Sequence, residues 1–351
     1  MTVQTTAIHK ILVVGPSWVG DMVMAQSLFR ALKDDNPTAV IDVLAMDWTR
    51  PLLERMPEVN KAITMPITHG TFGWKIRKQL ALELAEQAYD QAIVLPNSWK
   101  SALIPWFAGI PVRTGWRGEM RYGLLNDIRN LDKAALPMMV QRFVSLAYPA
   151  SQSQAAPSYQ APLMQAEPIK ADVNPVIMPD QKRLILCPGA EFGPAKQWPA
   201  EHYAAVANHF LDDGWQIVVL GSKADQTTAH EIAKHIAVSH LEQFYDLSGQ
   251  TKLEDAIDIL DTADCVVSND SGLMHIAAAL QRPLVALYGP TSPSFTPPLA
   301  NNAQLLQLDV DCGPCFQRTC PEGHHRCMQE LAVKRVTDLI RFITDEHNQT
   351  R

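Results

Sequence analysis

The chain has 351 residues, 47% of them apolar, a formal net charge of -7 and six cysteines. That length suffices for two domains of ordinary size, and the acidic balance argues against a nucleic-acid partner, which would call for a basic face. No apolar run approaches the ~18 uninterrupted residues of a membrane helix, and the opening MTVQTTAIHKILVVG lacks the basic start, long apolar core and cleavage site of a signal peptide, so a cytoplasmic protein is expected, with any membrane contact peripheral.

An apolar strand over 11–14 leads into the loop Gly15-Pro16-Ser17-Trp18-Val19-Gly20 and a helix over about 22–32. The glycines are not spaced G-x-G-x-x-G, which argues against a nicotinamide dinucleotide. Asp21 stands at the start of that helix, where backbone donors and the dipole favour a charged carboxylate. It reads either as a helix cap or as a base able to take a proton from a hydroxyl. Strands follow over 40–45 and 62–65, with a helix over 48–56 between them. A helix over 75–89 carries Lys75, Arg77 and Lys78 in its first turns, against the dipole. They form a solvated face or one turned to an anion.

A strand over 91–95, the loop Pro96-Asn97-Ser98-Trp99-Lys100 and a helix over 101–108 come next. The stretch 110–123, IPVRTGWRGEMRYG, is basic for this acidic chain, with Arg113, Arg117 and Arg121 set among Trp116 and Tyr122. Arginine forks suit phosphate and carboxylate. An anionic sugar or phosphorylated lipid headgroup fits better than single-stranded nucleic acid, because no longer basic stripe accompanies them.

From about residue 148 the chain turns to Pro, Ala, Ser and Gln, which reads as a linker. The expected organisation is an α/β domain over 1–150, a linker over 151–182, a second α/β domain over 183–332, and a last helix over 333–351 packing on the first domain. The second half opens with a strand over 183–187 and a Gly/Pro-rich loop over 188–199, with Lys196 just before a helix over about 200–212. A lysine there is a point charge for phosphate oxygens, or an ordinary surface lysine. It is not a Walker A loop. A strand over 216–220 ends at Gly221-Ser222, and Thr251 precedes a helix over 253–260.

The stretch VVSNDSGLMHIAAALQRPLVALYGPTSP, residues 266–293, is a strand–loop–helix–strand unit of a parallel sheet. Loops at the carboxyl ends of such strands bind ligands. Free N–H groups at Ser271, Gly272 and Leu273, with the helix dipole behind them, suit a diphosphate; Asp270 and Ser271 acting only as structural caps is the competing reading. Cys187 and Cys265 lie in apolar strands and read as core. Cys312, Cys315, Cys320 and Cys327 form C-x2-C-x4-C-x6-C with His324 and His325 inside. Structural zinc, a disulfide and unligated thiols at a tight turn all fit that irregular spacing.

Taken in order, GPSWVGDM at 15–22, PNSWKSAL at 96–103, RTGWRGEMRYGLLND at 113–127, PGAEFGPAKQWP at 188–199 and NDSGLMHIAAALQRPLVALYGP at 269–290 closely resemble the ADP-heptose:lipopolysaccharide heptosyltransferases, glycosyltransferase family 9. The resemblance spans residues 11–298. It implies a GT-B fold, two Rossmann-like parallel-sheet domains facing across a cleft, the first for acceptor and the second for nucleotide sugar. It implies transfer of L-glycero-D-manno-heptose from ADP-heptose, with inversion, to the first heptose of the Kdo2–lipid A inner core, at the cytoplasmic face of the inner membrane.

On this resemblance the catalytic base falls on Asp21. Lys196 meets the donor phosphates, Asp270 lies by the donor sugar, and Ser271, Gly272 and His275 lie at the diphosphate. Ser222 and Thr251 fall where adenosine is expected. Lys100, Arg113, Arg117 and Arg121 are assigned to the anionic acceptor on charge. No metal or other cofactor is expected in catalysis. The rivals are a related transferase or epimerase with another nucleotide sugar, and a non-catalytic sugar-nucleotide or lipopolysaccharide-binding module.

Overall fold

A computed structural model describes residues 10–67, 72–152, 155–169 and 181–349. Much of the expected linker and the first nine residues lie outside that set. The chain divides into two units, with the boundary between Pro162 and Leu163.

The first unit runs β1 (Lys10–Val14), α1 (Val19–Asp35), β2 (Val40–Ala45), α2 (Arg50–Leu53), β3 (Val59–Thr64), α3 (Trp74–Ala85), β4 (Gln91–Val94), α4 (Leu103–Phe107), β5 (Val112–Trp116), β6 (Asp127–Arg129) and α5 (Met139–Val144). The second runs β7 (Arg183–Cys187), α6 (Ala200–Asp212), β8 (Gln216–Val219), α7 (Gln226–Lys234), β9 (Phe244–Asp246), α8 (Leu253–Leu260), β10 (Cys265–Asn269), α9 (Gly272–Ala279), β11 (Leu284–Tyr288), β12 (Ala303–Gln307), α10 (Arg326–Gln329) and α11 (Val333–Gln349).

Each unit holds a six-stranded sheet, ordered β3-β2-β1-β4-β5-β6 in the first and β12-β11-β10-β7-β8-β9 in the second. Every pairing between these strands is parallel. The two orders are one topology used twice, the doubly wound Rossmann arrangement. The central strands are apolar along their length because helices cover both faces; β7, β10 and β11 are buried at every residue. In each sheet the strand order reverses beside the first strand, between β1 and β4 and between β7 and β10. That is where such sheets open a ligand crevice.

The final helix carries one apolar face. Val336, Ile340 and Ile343 sit one helical face apart and are buried in the core of the second unit, with Leu184, Val285 and Leu306. It therefore packs on its own unit's core. The expected linker is also tied down in part. The Gln160 amide donates to Asp34 and Arg30 donates to the Ala161 carbonyl within the first unit. The Met164 and Glu167 amides bond to the Ala279 carbonyl and the Asp258 carboxylate within the second.

Candidate functional site

In the second unit the site grows from the adjacent strands β7 and β10, paired through Ser268 and Cys187. The buried Asn269 closes β10. Its amide donates to the Pro188 carbonyl at 2.7 Å, and its oxygen accepts from the Tyr203 hydroxyl at 3.0 Å. One side chain thus holds the end of one strand to the loop after the other. That loop turns through the 3-10 segment Pro194–Lys196 into buried Trp198, whose indole donates to the Leu331 carbonyl at 3.0 Å.

The Lys196 ammonium donates to Asp270 Oδ2 at 2.6 Å and to the Asp270 carbonyl at 3.1 Å. The Thr291 hydroxyl donates to the same Oδ2 at 2.7 Å. Asp270 is nearly sealed, at 5% exposure. A lone carboxylate there would be expensive; the ammonium and the hydroxyl both bond to it. Lys196 also lies 4.9 Å over the Phe192 ring, with the Arg318 guanidinium 5.3 Å over that ring too. Two cations on one aromatic give this corner a positive bias.

Ser271 is the extended N-cap of α9, and no side chain caps the helix. Its first-turn amides, including that of Gly272, therefore present donors backed by the dipole. His275, one turn on, is buried, and its imidazole is pushed down to about 4, chiefly by burial, against an opposite pull from the Asp270 charge and with a lesser push from Lys196. It is neutral at physiological pH, so the reading of His275 as a phosphate partner is limited to an uncharged imidazole. Ser222 and Thr251 follow β8 and β9, outward from the strand reversal. The Ser222 hydroxyl donates to Asp225 at 2.7 Å.

In the first unit a cavity of about 230 Å³ lies at the carboxyl ends of β1, β2 and β4, lined by Gly15, Ser17, Met46, Ser98, Lys100 and Arg77 among others. Asp21 follows closely on the lining loop. Trp18 is the N-cap of α1, so Asp21 is the third helical residue and lies in the first turn, rather than capping the helix. Arg77 is buried; it donates to the Phe72 carbonyl at 2.8 Å and the Lys100 carbonyl at 3.1 Å. It braces the segment that carries Lys100 while lining the cavity.

The arginine cluster divides. Arg121 is wholly buried and donates to the Pro96 carbonyl at 2.7 Å, to the Trp116 carbonyl and to Ser101 Oγ at 3.4 Å. Burial lowers its guanidinium to about 10, still charged at neutral pH. Its assignment to the acceptor is corrected: the fork clamps the loop after β4. Arg113 donates through Nε to the Leu124 carbonyl at 2.6 Å and through Nη1 to the Ile110 carbonyl at 2.5 Å. Arg117 is exposed, on a turn closed by Gly118. Gly118 adopts φ +50°, and a Cβ there would meet the Asn97 carbonyl oxygen at 2.3 Å, so only glycine lets the two loops touch.

Cys187 and Cys265 are core residues, their thiols raised by burial. Cys312, Cys315, Cys320 and Cys327 line one small cavity with His324 and His325. The Cys320 thiol is lowered by backbone N–H groups, that of His325 first, and the Cys327 thiol is raised by burial and then by the other three thiols. The sequence spacing thus gathers the sulfurs. Yet among the described residues no three Cys, His, Asp or Glu side chains converge enough to hold an ion, so the zinc expectation finds no formed ligand set.

Asn269, Thr291, Phe192 and Arg318 carry no assigned role in the sequence reading. The signal that identifies Asn269 and Thr291 is adjacency to Asp270 and to the end of β11. Nothing local marks Phe192 or Arg318, which meet across more than a hundred residues of chain.

A family model described as glycosyltransferase family 9 (heptosyltransferase) matches residues 77–326. The chain is 48% identical over 336 residues to lipopolysaccharide heptosyltransferase 2 of Escherichia coli K12, covering 94% of this chain and 97% of that protein. It is 49% identical over 340 residues to lipooligosaccharide heptosyltransferase 2 of Haemophilus ducreyi, covering 93% and 97%. The solved structure of E. coli ADP-heptose LPS heptosyltransferase II superposes with a TM-score of 0.86 at 44% identity, covering 97% of this chain and 99% of that one.

Proposed function

The chain belongs to glycosyltransferase family 9, the heptosyltransferases, and from that premise we propose how its two doubly wound units, those of a GT-B enzyme, divide one reaction. It is a glycosyltransferase that moves heptose from ADP-heptose to the lipopolysaccharide inner core. The acceptor hydroxyl is that of the first heptose on Kdo2–lipid A, and the configuration at the anomeric carbon inverts.

The second unit takes the donor. The observation that carries this is the Lys196–Asp270 pair at the start of an uncapped helix, on neighbouring strand ends. An ADP diphosphate accepts from the first-turn amides of α9, beginning at Ser271 and Gly272. Lys196 offsets the charge that builds on the departing ADP. Asp270 accepts from a sugar hydroxyl, and Ser222 and Thr251 border the adenosine. The first unit supplies the base: Asp21 takes the proton of the acceptor hydroxyl as that oxygen attacks. Lys100 and Arg117 receive anionic acceptor groups. Lys196 and the helix amides do what a divalent cation does elsewhere, so transfer needs no metal.

No helix among the described residues is long and apolar enough to cross a membrane. The enzyme works in the cytoplasm, in peripheral contact with the inner membrane that holds its acceptor. Mass spectrometry of products from ADP-heptose and a one-heptose core acceptor tests the reading. A product one heptose heavier is expected; an unchanged acceptor with active-site residues intact would overturn it.

A further inference from the structure

We propose that the outer face of α3, with the aromatic ridge beside it, is the surface on which this enzyme docks to an anionic lipid membrane. The proposal rests on the lipid-linked acceptor inferred above. It adds where the chain meets the bilayer.

Among the exposed rings of the first unit, Phe72, Trp74, Trp99 and Trp106, each 40–46% exposed, are linked to one another. They form one connected ridge. Phe72 lies 5.3 Å from Trp99 and 5.8 Å from Trp74; Trp74 meets Phe107 edge-on at 5.0 Å, and Phe107 meets Trp106 at 4.8 Å. Isolated exposed apolar residues need no explanation, but a continuous exposed patch marks a partner. Tryptophan is suited to a membrane boundary, with an apolar body for the acyl region and an N–H for the headgroups.

Helix α3 extends the ridge with charge. At about 100° per residue, Trp74, Lys78 and Leu82 share one stripe, and Lys75 flanks it. Lys75 and Lys78 are exposed, and Leu82 is 54% exposed. The inner face of the same helix, Leu80, Ala81 and Leu84, is buried. Glu83 falls well round the helix from the stripe. Glu86, the exposed C-cap residue four after Leu82, closes the far end of the stripe, and on the ridge the Glu119 carboxylate accepts from the Trp99 backbone amide at 3.0 Å.

The pattern is therefore rings and a leucine interleaved with lysines, on a chain whose formal net charge is -7. A second copy of this chain would set lysine against lysine on a two-fold contact. An anionic lipid surface instead attracts both lysines while the rings enter the headgroup layer. The charge complementarity selects the membrane.

The test uses full-length protein and vesicles of phosphatidylglycerol and phosphatidylethanolamine, with phosphatidylcholine vesicles as control, read by co-flotation. The native chain is expected to float with the anionic vesicles and to be largely released by high salt. Lys75→Glu/Lys78→Glu should cut the partition by at least about tenfold, and Leu82→Glu/Trp106→Ser should do likewise. The second variant should turn over a deacylated, water-soluble acceptor at the native rate yet lose turnover on vesicle-embedded acceptor. Native vesicle binding by both variants overturns the proposal. So does a dimer in sedimentation that these substitutions dissolve, which would give the patch to a second copy. Absence of any heptose transfer by the native chain would instead strike the proposed reaction, and the flotation result would still decide the surface.

Discussion

The Lys196 ammonium lies 2.6 Å from Asp270 Oδ2, joining loops that leave two neighbouring parallel strands. Both side chains are largely withdrawn from water, at 12% and 5% exposure. Removing one charge strands the other. Lys196→Ala should therefore lower unfolding free energy by about 3–5 kcal/mol and also weaken donor turnover. Lys196→Met combined with Asp270→Leu should regain much of the stability without regaining activity. Urea unfolding of the single and double variants beside steady-state kinetics checks this. Equal stability of Lys196→Ala and the native chain would remove the pair from the account.

Asp21 lies in the first turn of α1, close to the cavity of the first unit. Asp21→Ala should reduce turnover by roughly 10²–10⁴-fold, the span of a lost general base. ADP binding, followed by calorimetry, should be retained because the residues proposed to hold the donor belong to the other unit. Native turnover in this variant would take Asp21 out of the mechanism.

His275 gives a pH dependence of stability. Its imidazole sits at about 4 in the fold, through burial, against roughly 6.5 in the unfolded chain. Between those values the unfolded state binds more protons, so stability falls as pH drops from about 6.5 toward 4 and levels off below. The full swing is about 3 kcal/mol. His275→Gln should flatten that part of the curve. Native and variant curves that run parallel from pH 7 to pH 4 would show that this group does not titrate as argued.

Two arginines close in sequence should behave oppositely. Arg121 is sealed and holds carbonyls, whereas Arg117 is exposed. Arg121→Met should cost roughly 3 kcal/mol or more, since charged hydrogen bonds are lost and buried acceptors stranded. Its acceptor KM should be native in the folded fraction. Arg117→Ala should leave Tm unchanged and raise the acceptor KM. The reverse pattern would return Arg121 to the acceptor site.

Transfer should persist in a chelator. In the proposed reaction Lys196 and the α9 amides offset the charge on the leaving group. A loss of activity restored fully by Mg2+ alone would contradict this. Metal analysis of the same preparation tells whether the cysteine cluster carries an ion.

Much of the frame was readable along the chain. The strands at 40–45 and 183–187 and the helices at 200–212 and 253–260 match their expected limits. These are apolar runs bounded by Gly, Pro or Asp, where local pattern and burial agree. The motif residues Lys196 and Asp270 were named from sequence, and the fold puts them in contact. Misjudged features depend on distant partners. The edge strand β12 has mixed exposure, and the sequence reading assigned no strand there. The arginines of 113–121 appeared alike because charge is visible in a sequence and burial is not.

The sequence by itself determined the two-fold α/β rhythm, the family and the carriers of charge, since strand periodicity, turn residues and long motif runs are local properties. Only the tertiary structure decided which charges are available. It turned Arg121 and Arg77 inward against carbonyls, sank His275 so that it is neutral at physiological pH, and stood Trp74 and Trp106 out toward solvent. The physical reason is desolvation: a side chain's charge and reach depend on what packs around it, and those neighbours come from elsewhere in the chain.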